Sequence, residues 1–323
     1  MNKTLKITIN ILIFILIAGF GYYMVHSIVS DEKKTSTDAE NQETDFVSPY
    51  KKTDAFDAVS EILSFDIYDD MVFAALQDKI SVFDLDGNHQ YDFEIKSLAR
   101  DIVAVNDTVF ILYPTEIELY TFEGQIINEW EACSENSDYC AFTTTKDYVF
   151  VTDAENKHIV QYDKQGRLVR FIKSPRGFVI PSYAFDIISI NDTIYCSNSG
   201  KHKIESYTSD GIFIASFGES GMEAGEFAGC CNPVFLEKTA GGNILTSEKG
   251  NPRVSSYSKE GKFRTILLDN DMLGGGTSAY RMKVSKEKIY IAGKKTISVY
   301  DFDCKLLKKP CGACELECPL NIN

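Results

Sequence analysis

The sequence predicts an all-β protein: a six-bladed β-propeller preceded by one N-terminal transmembrane helix. Three observations predict it. One phrase, an apolar residue, two residues, an aromatic, three more and a turn residue, returns six times, as Ile80-Phe83-Gly87, Ile117-Tyr120-Gly124, Ile159-Tyr162-Gly166, Ile204-Tyr207-Gly211, Val254-Tyr257-Gly261 and Ile297-Tyr300-Cys304. The turn residues follow one another at 37, 42, 45, 50 and 43 residues, the spacing of propeller blades. Ahead of all six lies an uncharged run of 19 residues, Ile7 to Val25, which as a helix spans about 28 Å of hydrocarbon.

Taken in chain order, residues 1–6 are a cytoplasmic stub whose Lys3 and Lys6 keep the N-terminus inside, and 7–26 are the signal anchor. Everything beyond is then extracytoplasmic, held at the inner membrane by a single pass. If the weak site at Val25-His26-Ser27 were cleaved, the protein would be secreted. Residues 27–57 read as a flexible linker, because between Ser30 and Ala55 only Phe46 and Val47 stand out among Ser, Thr, Asp, Glu, Asn, Gln and Lys. On that boundary, deleting residues 1–55 should remove no blade strand.

Residues 58–309 form the propeller. Upstream of each phrase is a β-rich run, MVFAAL, TVFILY, YVFVTD, TIYCSN, NILTSE and KIYIAG, and downstream lies a further strand such as RLVRFI or IFIASF, making four strands, A to D, per blade. Each turn glycine follows Asp, Glu or Gln, as a hairpin needing positive φ requires. The expected last strand is Lys305–Lys309, with the ring closed by packing of blade 6 on blade 1 and no strand exchange. The repeated aromatics are core residues, placed where neighbouring blades pack.

Blades 4 and 5 carry a fuller signature: Phe217-Gly218, Gly221, Gly225, Phe227, Pro233, Gly242-Asn243-Ile244, Asn251, Arg253-Val254, Tyr257 and Gly261. Blade 3 agrees in Asn156, His158-Ile159, Tyr162 and Gly166. This resembles the NHL-repeat family of β-propellers over roughly residues 60–309. The resemblance implies the fold and leaves the activity open, since that family is known for binding protein, RNA and small molecules and includes some lyase-like enzymes.

Composition narrows the function. The chain has 323 residues, 44% of them hydrophobic, with 33 basic against 47 acidic side chains and a net charge of −14. That is a globular composition, and the absence of a basic run argues against nucleic acid as a partner. Four histidines, His26, His89, His158 and His202, are few for a metallohydrolase, and no nucleophile elbow, P-loop or haem-attachment motif is present.

The nine cysteines are the chemical signal. Propeller topology puts the D-to-A and B-to-C connections on one face, and with them Cys133, Cys140, Cys230, Cys231 and the end of strand B4 at Cys196. Cys133 and Cys140 are the disulfide candidate. Glu248, Lys249 and Arg253, in or beside the B-to-C loop of blade 5, join Cys230 and Cys231 as a candidate binding face. The tail, residues 310–323, reads Cys311-Gly-Ala-Cys314-Glu-Leu-Glu-Cys318-Pro319. It resembles the last three ligands of a bacterial ferredoxin-type iron–sulfur motif, with Lys308 where the preceding ligand belongs. Cys304, Cys311, Cys314, Cys318, Cys230 and Cys231 are therefore candidates for disulfide stapling, for an iron–sulfur cluster or other metal, or for incidental thiols, with stapling first in an oxidising compartment. The leading functional reading is a non-enzymatic propeller that binds a protein or small-molecule ligand on its loop-rich face. The alternative is a redox or electron-transfer protein using the cysteine-rich site.

Overall fold

The computed structural model describes residues 47–303 and Leu306. The expected anchor at 7–26, most of the linker, Cys304 and the tail cysteines Cys311, Cys314 and Cys318 lie outside the described residues. Among the described residues, no helix is long and apolar enough to cross a membrane.

Six four-stranded antiparallel sheets account for all the strands of the described residues. Blades 1 to 5 run in chain order over 64–94, 101–131, 139–172, 187–217 and 235–268, and blade 6 begins at 281. In blades 1 to 5 strand A is first and innermost, and strand D last and outermost. The six A strands pack around a common axis, each against the next, and the first meets the sixth. Strands B and C, such as Thr108–Tyr113 and Glu116–Thr121, are buried nearly throughout. Both of their faces are covered by neighbouring blades, which is why strands B, such as TVFILY, read as continuous apolar runs. Strands D, such as Ile126–Glu131 and Phe213–Phe217, are mostly exposed.

The ring closes by strand exchange, contrary to the sequence expectation. Tyr50–Asp57 is a strand that pairs antiparallel with Thr296–Phe302, from Tyr50 opposite Phe302 to Asp57 opposite Thr296, with an irregularity between Lys52 and Asp54. It fills the outermost position of blade 6, the place expected for Lys305–Lys309. The linker reading failed here because an outer strand needs only a few apolar anchors. Tyr50 is fully buried, the rest is largely exposed, and Phe56 lies 5.5 Å from the Phe83 ring of blade 1. Hydrogen bonds extend the seam at both ends, from Asp303 N to Pro49 O at 2.7 Å and from Ala58 N to Lys295 O at 2.7 Å.

The turn glycines do more than bend the chain. All five expected ones sit in C-to-D hairpins with positive φ. At Gly87 a methyl group would come within 2.4 Å of Phe56, and at Gly261 within 2.2 Å of Phe217, each on the outer strand of the preceding blade. Bare backbone therefore presses on an apolar side chain at the blade junctions, and a side chain there would be excluded by space as well as by φ.

Two truncations test the seam. Removing residues 1–46 leaves every described strand in place and should preserve cooperative unfolding. Removing 1–57 strips Tyr50 and Phe56 from blade 6, costing on the order of 5 kcal/mol, so Tm measured by circular dichroism should fall by about 10 °C or more. Equal Tm values for the two would contradict the closure.

Candidate functional site

Convergence of the six A strands brings together side chains that are far apart in sequence. Two tiers of charge line the axis. The first is set by Asp101, Asp186 and Arg281. Arg281 Nη1 lies 3.2 Å from Asp101 Oδ1, its Nη2 donates to Arg100 O at 2.6 Å, and its guanidinium stands 4.8 Å from the centre of the Phe235 ring. Asp101 Oδ1 also accepts from Ser64 Oγ at 2.8 Å. The Asp186 carboxylate accepts the backbone N–H groups of Ile187 at 2.9 Å and Leu236 at 2.6 Å, tying blade 4 to blade 5.

The second tier is Asp66, Glu237 and Lys283. Lys283 Nζ sits 3.1 Å from Asp66 Oδ1 and 3.3 Å from Glu237 Oε2, bridging blades 1, 5 and 6. Asp66 Oδ2 accepts from Ala104 N of blade 2 at 2.8 Å. Burial works against the Lys283 charge, but the Asp66, Glu237 and Asp101 carboxylates outweigh it and raise the ammonium above the ordinary lysine range. Burial raises Glu237, with Lys283 pulling the other way. Burial, reinforced by the charge of Asp101, pushes Asp186 up to about 7.

Around these tiers are three spaces that share lining residues. A cavity of about 550 Å³ is lined by Asp66, Glu237, Lys283, Phe142, Thr143 and Ser285, and widens toward the A-to-B hairpins. A cavity of about 170 Å³ lies at the other end of the axis, against Arg100, Ser182, Tyr183 and Arg281. A neck of about 30 Å³, bordered by Asp101, Asp186, Arg281 and Lys283, lies between. The larger space thus opens on the face opposite the one on which the sequence reading placed the binding residues.

Of those residues, Cys230 and Cys231 occur where expected, in the connection from blade 4 to blade 5, with their sulfurs 3.0 Å apart. Cys230 is exposed and Cys231 buried. The Lys249 ammonium acts on Cys231 and favours its ionised form. Glu248 and Arg253 are buried and paired with each other at 3.0 Å. Ser255 Oγ adds a hydrogen bond to Glu248 at 3.1 Å, and Arg253 Nη2 donates to the carbonyls of Glu226 and Glu223. Their charges brace the long connection against blade 5 and do not meet solvent.

The expected Cys133–Cys140 disulfide is not formed. Cys133 Sγ lies 3.0 Å from Tyr162 Oη, among side chains shared with blade 2, whereas Cys140 packs with Phe185 and Cys196 toward blade 4. The two thiols face opposite sides of blade 3. Cys196 is fully buried there. Among the described residues, no group of His, Cys, Asp or Glu is arranged to hold a metal ion. The described histidines serve elsewhere: His89 pairs with Asp92 at 2.8 Å, His158 stacks on Phe171 at 4.5 Å, and His202 meets Gly229 O at 2.7 Å.

The axial acids escaped the sequence reading, which singled out none of them. The signal was charge inside the first β-run of a repeat, as in SFDIY, FLEK and RMKV.

Asp186 makes stability depend on pH. In the unfolded chain its carboxyl ionises near 4, in the fold near 7, so the fold favours the protonated form. Its contribution is fully present below about pH 4 and is lost as pH rises to about 7, on the order of 4 kcal/mol. In urea titrations from pH 4 to 8, Asp186→Asn should flatten that part of the profile; an unchanged slope would contradict the assignment.

No family model and no curated protein matches the chain. Solved structures do. A catalytically inactive histidine-to-alanine variant of virginiamycin B lyase from Staphylococcus aureus, determined with quinupristin, aligns with TM-score 0.56 at 14% identity, covering 78% of this chain and 99% of that one. A streptogramin B lyase structure aligns with TM-score 0.56 at 13% identity, covering 79% and 97%. A protein of unknown function from Bacteroides thetaiotaomicron gives 0.56 at 12% identity, covering 79% and 74%. This chain, a six-bladed β-propeller, thus resembles the virginiamycin B lyase structures in fold.

Proposed function

We infer that the protein is a binding propeller, anchored at the inner membrane by residues 7–26 and held outside it, whose axial cavity takes a small zwitterionic ligand such as an amino acid or dipeptide. One observation carries the ligand class: the 550 Å³ cavity is lined by carboxylates and an ammonium already paired at 3.1 and 3.3 Å. A purely anionic ligand would add to the excess of carboxylate around Lys283, which is costly. A ligand carrying both signs can exchange with the pair and keep the balance. The cavity size suits a small molecule. The apolar run after Lys3 and Lys6 supports the anchor, and its orientation supports an extracytoplasmic propeller.

The likeness to the streptogramin lyases is one of fold alone. The lyase variant described as inactive lacks one histidine. Here none of the described histidines lines the axial spaces. Binding without covalent chemistry is the reading these side chains favour.

Thermal-shift titration of the full-length protein in detergent, against free amino acids and dipeptides, should give a saturable rise in Tm with at least one of them. Ala240→Trp, which narrows the cavity lining without touching the charged tier, should abolish the rise, and Glu237→Gln should weaken it at least tenfold. No response to any zwitterion, or an equal response in both variants, would reject the axial site.

A further inference from the structure

The vicinal cysteines lie outside the axial cavity, and their surroundings differ from those of the buried thiols. The loop that carries them is pinned on both sides. Asn232 Nδ2 donates to Ala228 O at 2.6 Å and to Lys249 O at 2.9 Å, while Asn232 Oδ1 accepts from Lys249 N at 2.9 Å. His202 holds Gly229 O at 2.7 Å. Backbone fixed before and after the pair keeps the two sulfurs side by side at 3.0 Å. Burial acts against ionisation of Cys231, but hydrogen bonds from Lys249, Cys230 and Ser182 and the Lys249 charge outweigh it and lower its thiol. The Cys230 thiol is raised, first because it donates its hydrogen bond to Cys231. The buried sulfur is therefore the one that ionises, and the exposed sulfur keeps the proton.

Cys140 and Cys196 offer the contrast. Each is buried, and burial raises each thiol well above the ordinary range, Cys140 to about 12. Burial outweighs the Arg100 charge that acts on Cys140, and the charge near Cys196 is the Glu205 carboxylate, which opposes a thiolate. A thiolate next to an ammonium, with a second sulfur already in contact and open to solvent, is the arrangement of a reactive dithiol.

We propose that Cys230 and Cys231 form a thiol–disulfide exchange site, oxidised by a low-molecular-weight disulfide to a vicinal disulfide. In the first step the Cys231 thiolate takes the Cys230 proton as Cys230 Sγ attacks one sulfur of the incoming disulfide. One S–S bond breaks, a mixed disulfide forms on Cys230, and a thiolate leaves. In the second step Cys231 Sγ attacks Cys230 Sγ, passing its proton to a departing thiolate, and the second thiol leaves. Two electrons pass from the protein dithiol to the external disulfide, and every sulfur and proton is accounted for. Lys249 favours an acidic disulfide by charge.

The test uses the full-length protein, reduced and then equilibrated with glutathione disulfide, followed by peptide mapping of the segment carrying residues 230 and 231. The expected product is that peptide lighter by two hydrogens, with both cysteines refractory to alkylation. Cys231→Ser should stop at the mixed disulfide on Cys230, and Cys230→Ser should lower reactivity at this site at least tenfold. Lys249→Met should slow glutathione disulfide about tenfold and leave the dicationic disulfide cystamine less affected. A Cys230–Cys231 peptide that stays fully reduced, or that pairs with other cysteines of the chain, would overturn the proposal even if every variant failed to fold. So would a Cys230→Ser protein as reactive as the parent.

Discussion

Everything in this molecule depends on closing the ring. A four-stranded blade with two apolar faces cannot stand alone, and six such blades bury all of those faces only when the first meets the last. The closing strand, Tyr50–Asp57, belongs to the start of the chain but to the sixth sheet. Phe56 on that strand packs under Gly87 of blade 1, repeating at the seam the contact of backbone on apolar side chain found at Gly261 and Phe217.

Closure has an electrostatic consequence. It forces Asp66, Asp101, Asp186, Glu237, Arg281 and Lys283 into one water-poor space, with four carboxylates facing two cations. The excess is relieved in two ways. Backbone N–H groups of Ala104, Ile187 and Leu236 donate to carboxylates, and Asp186 holds its proton near neutral pH. Each of the cations joins strands from different blades, so the charged tiers help fix the relative positions of the blades that the apolar faces pack. A binding cavity built this way is rigid at its base, and its specificity rests on charges that are already oriented.

The sequence carried some of this better than the rest. Strands B and C and the C-to-D turns were legible because burial on two faces and a positive φ leave direct marks on residue type. The seam strand was not, since YKKTDAFD has only Tyr50 and Phe56 to distinguish it from the polar segment before it. Asp66 or Glu237 taken singly looks like an ordinary edge or turn acid. Only the topology places them on a common axis. Cys133 and Cys140 misled for a related reason: sequence distance suggested a small closed loop, while Cys133 stays in the connection against Tyr162 and Cys140, on strand A of blade 3, turns toward blade 4. Side-chain direction, unlike strand existence, depends on register.

The dithiol and the axis share a rim. Ser182, which bonds to Cys231, has φ 56°, a conformation that costs a non-glycine residue on the order of 1 kcal/mol and persists only where its contacts hold it. The next residue, Tyr183, lies 5.4 Å from the Arg100 guanidinium, and Arg100 O accepts from Arg281 at 2.6 Å. Ser182 and Tyr183 line the smaller cavity, so the dithiol stands beside that end of the axis. Arg281 is held independently of that segment by Asp101 and Phe235, which leaves the charged tiers anchored on their own strands.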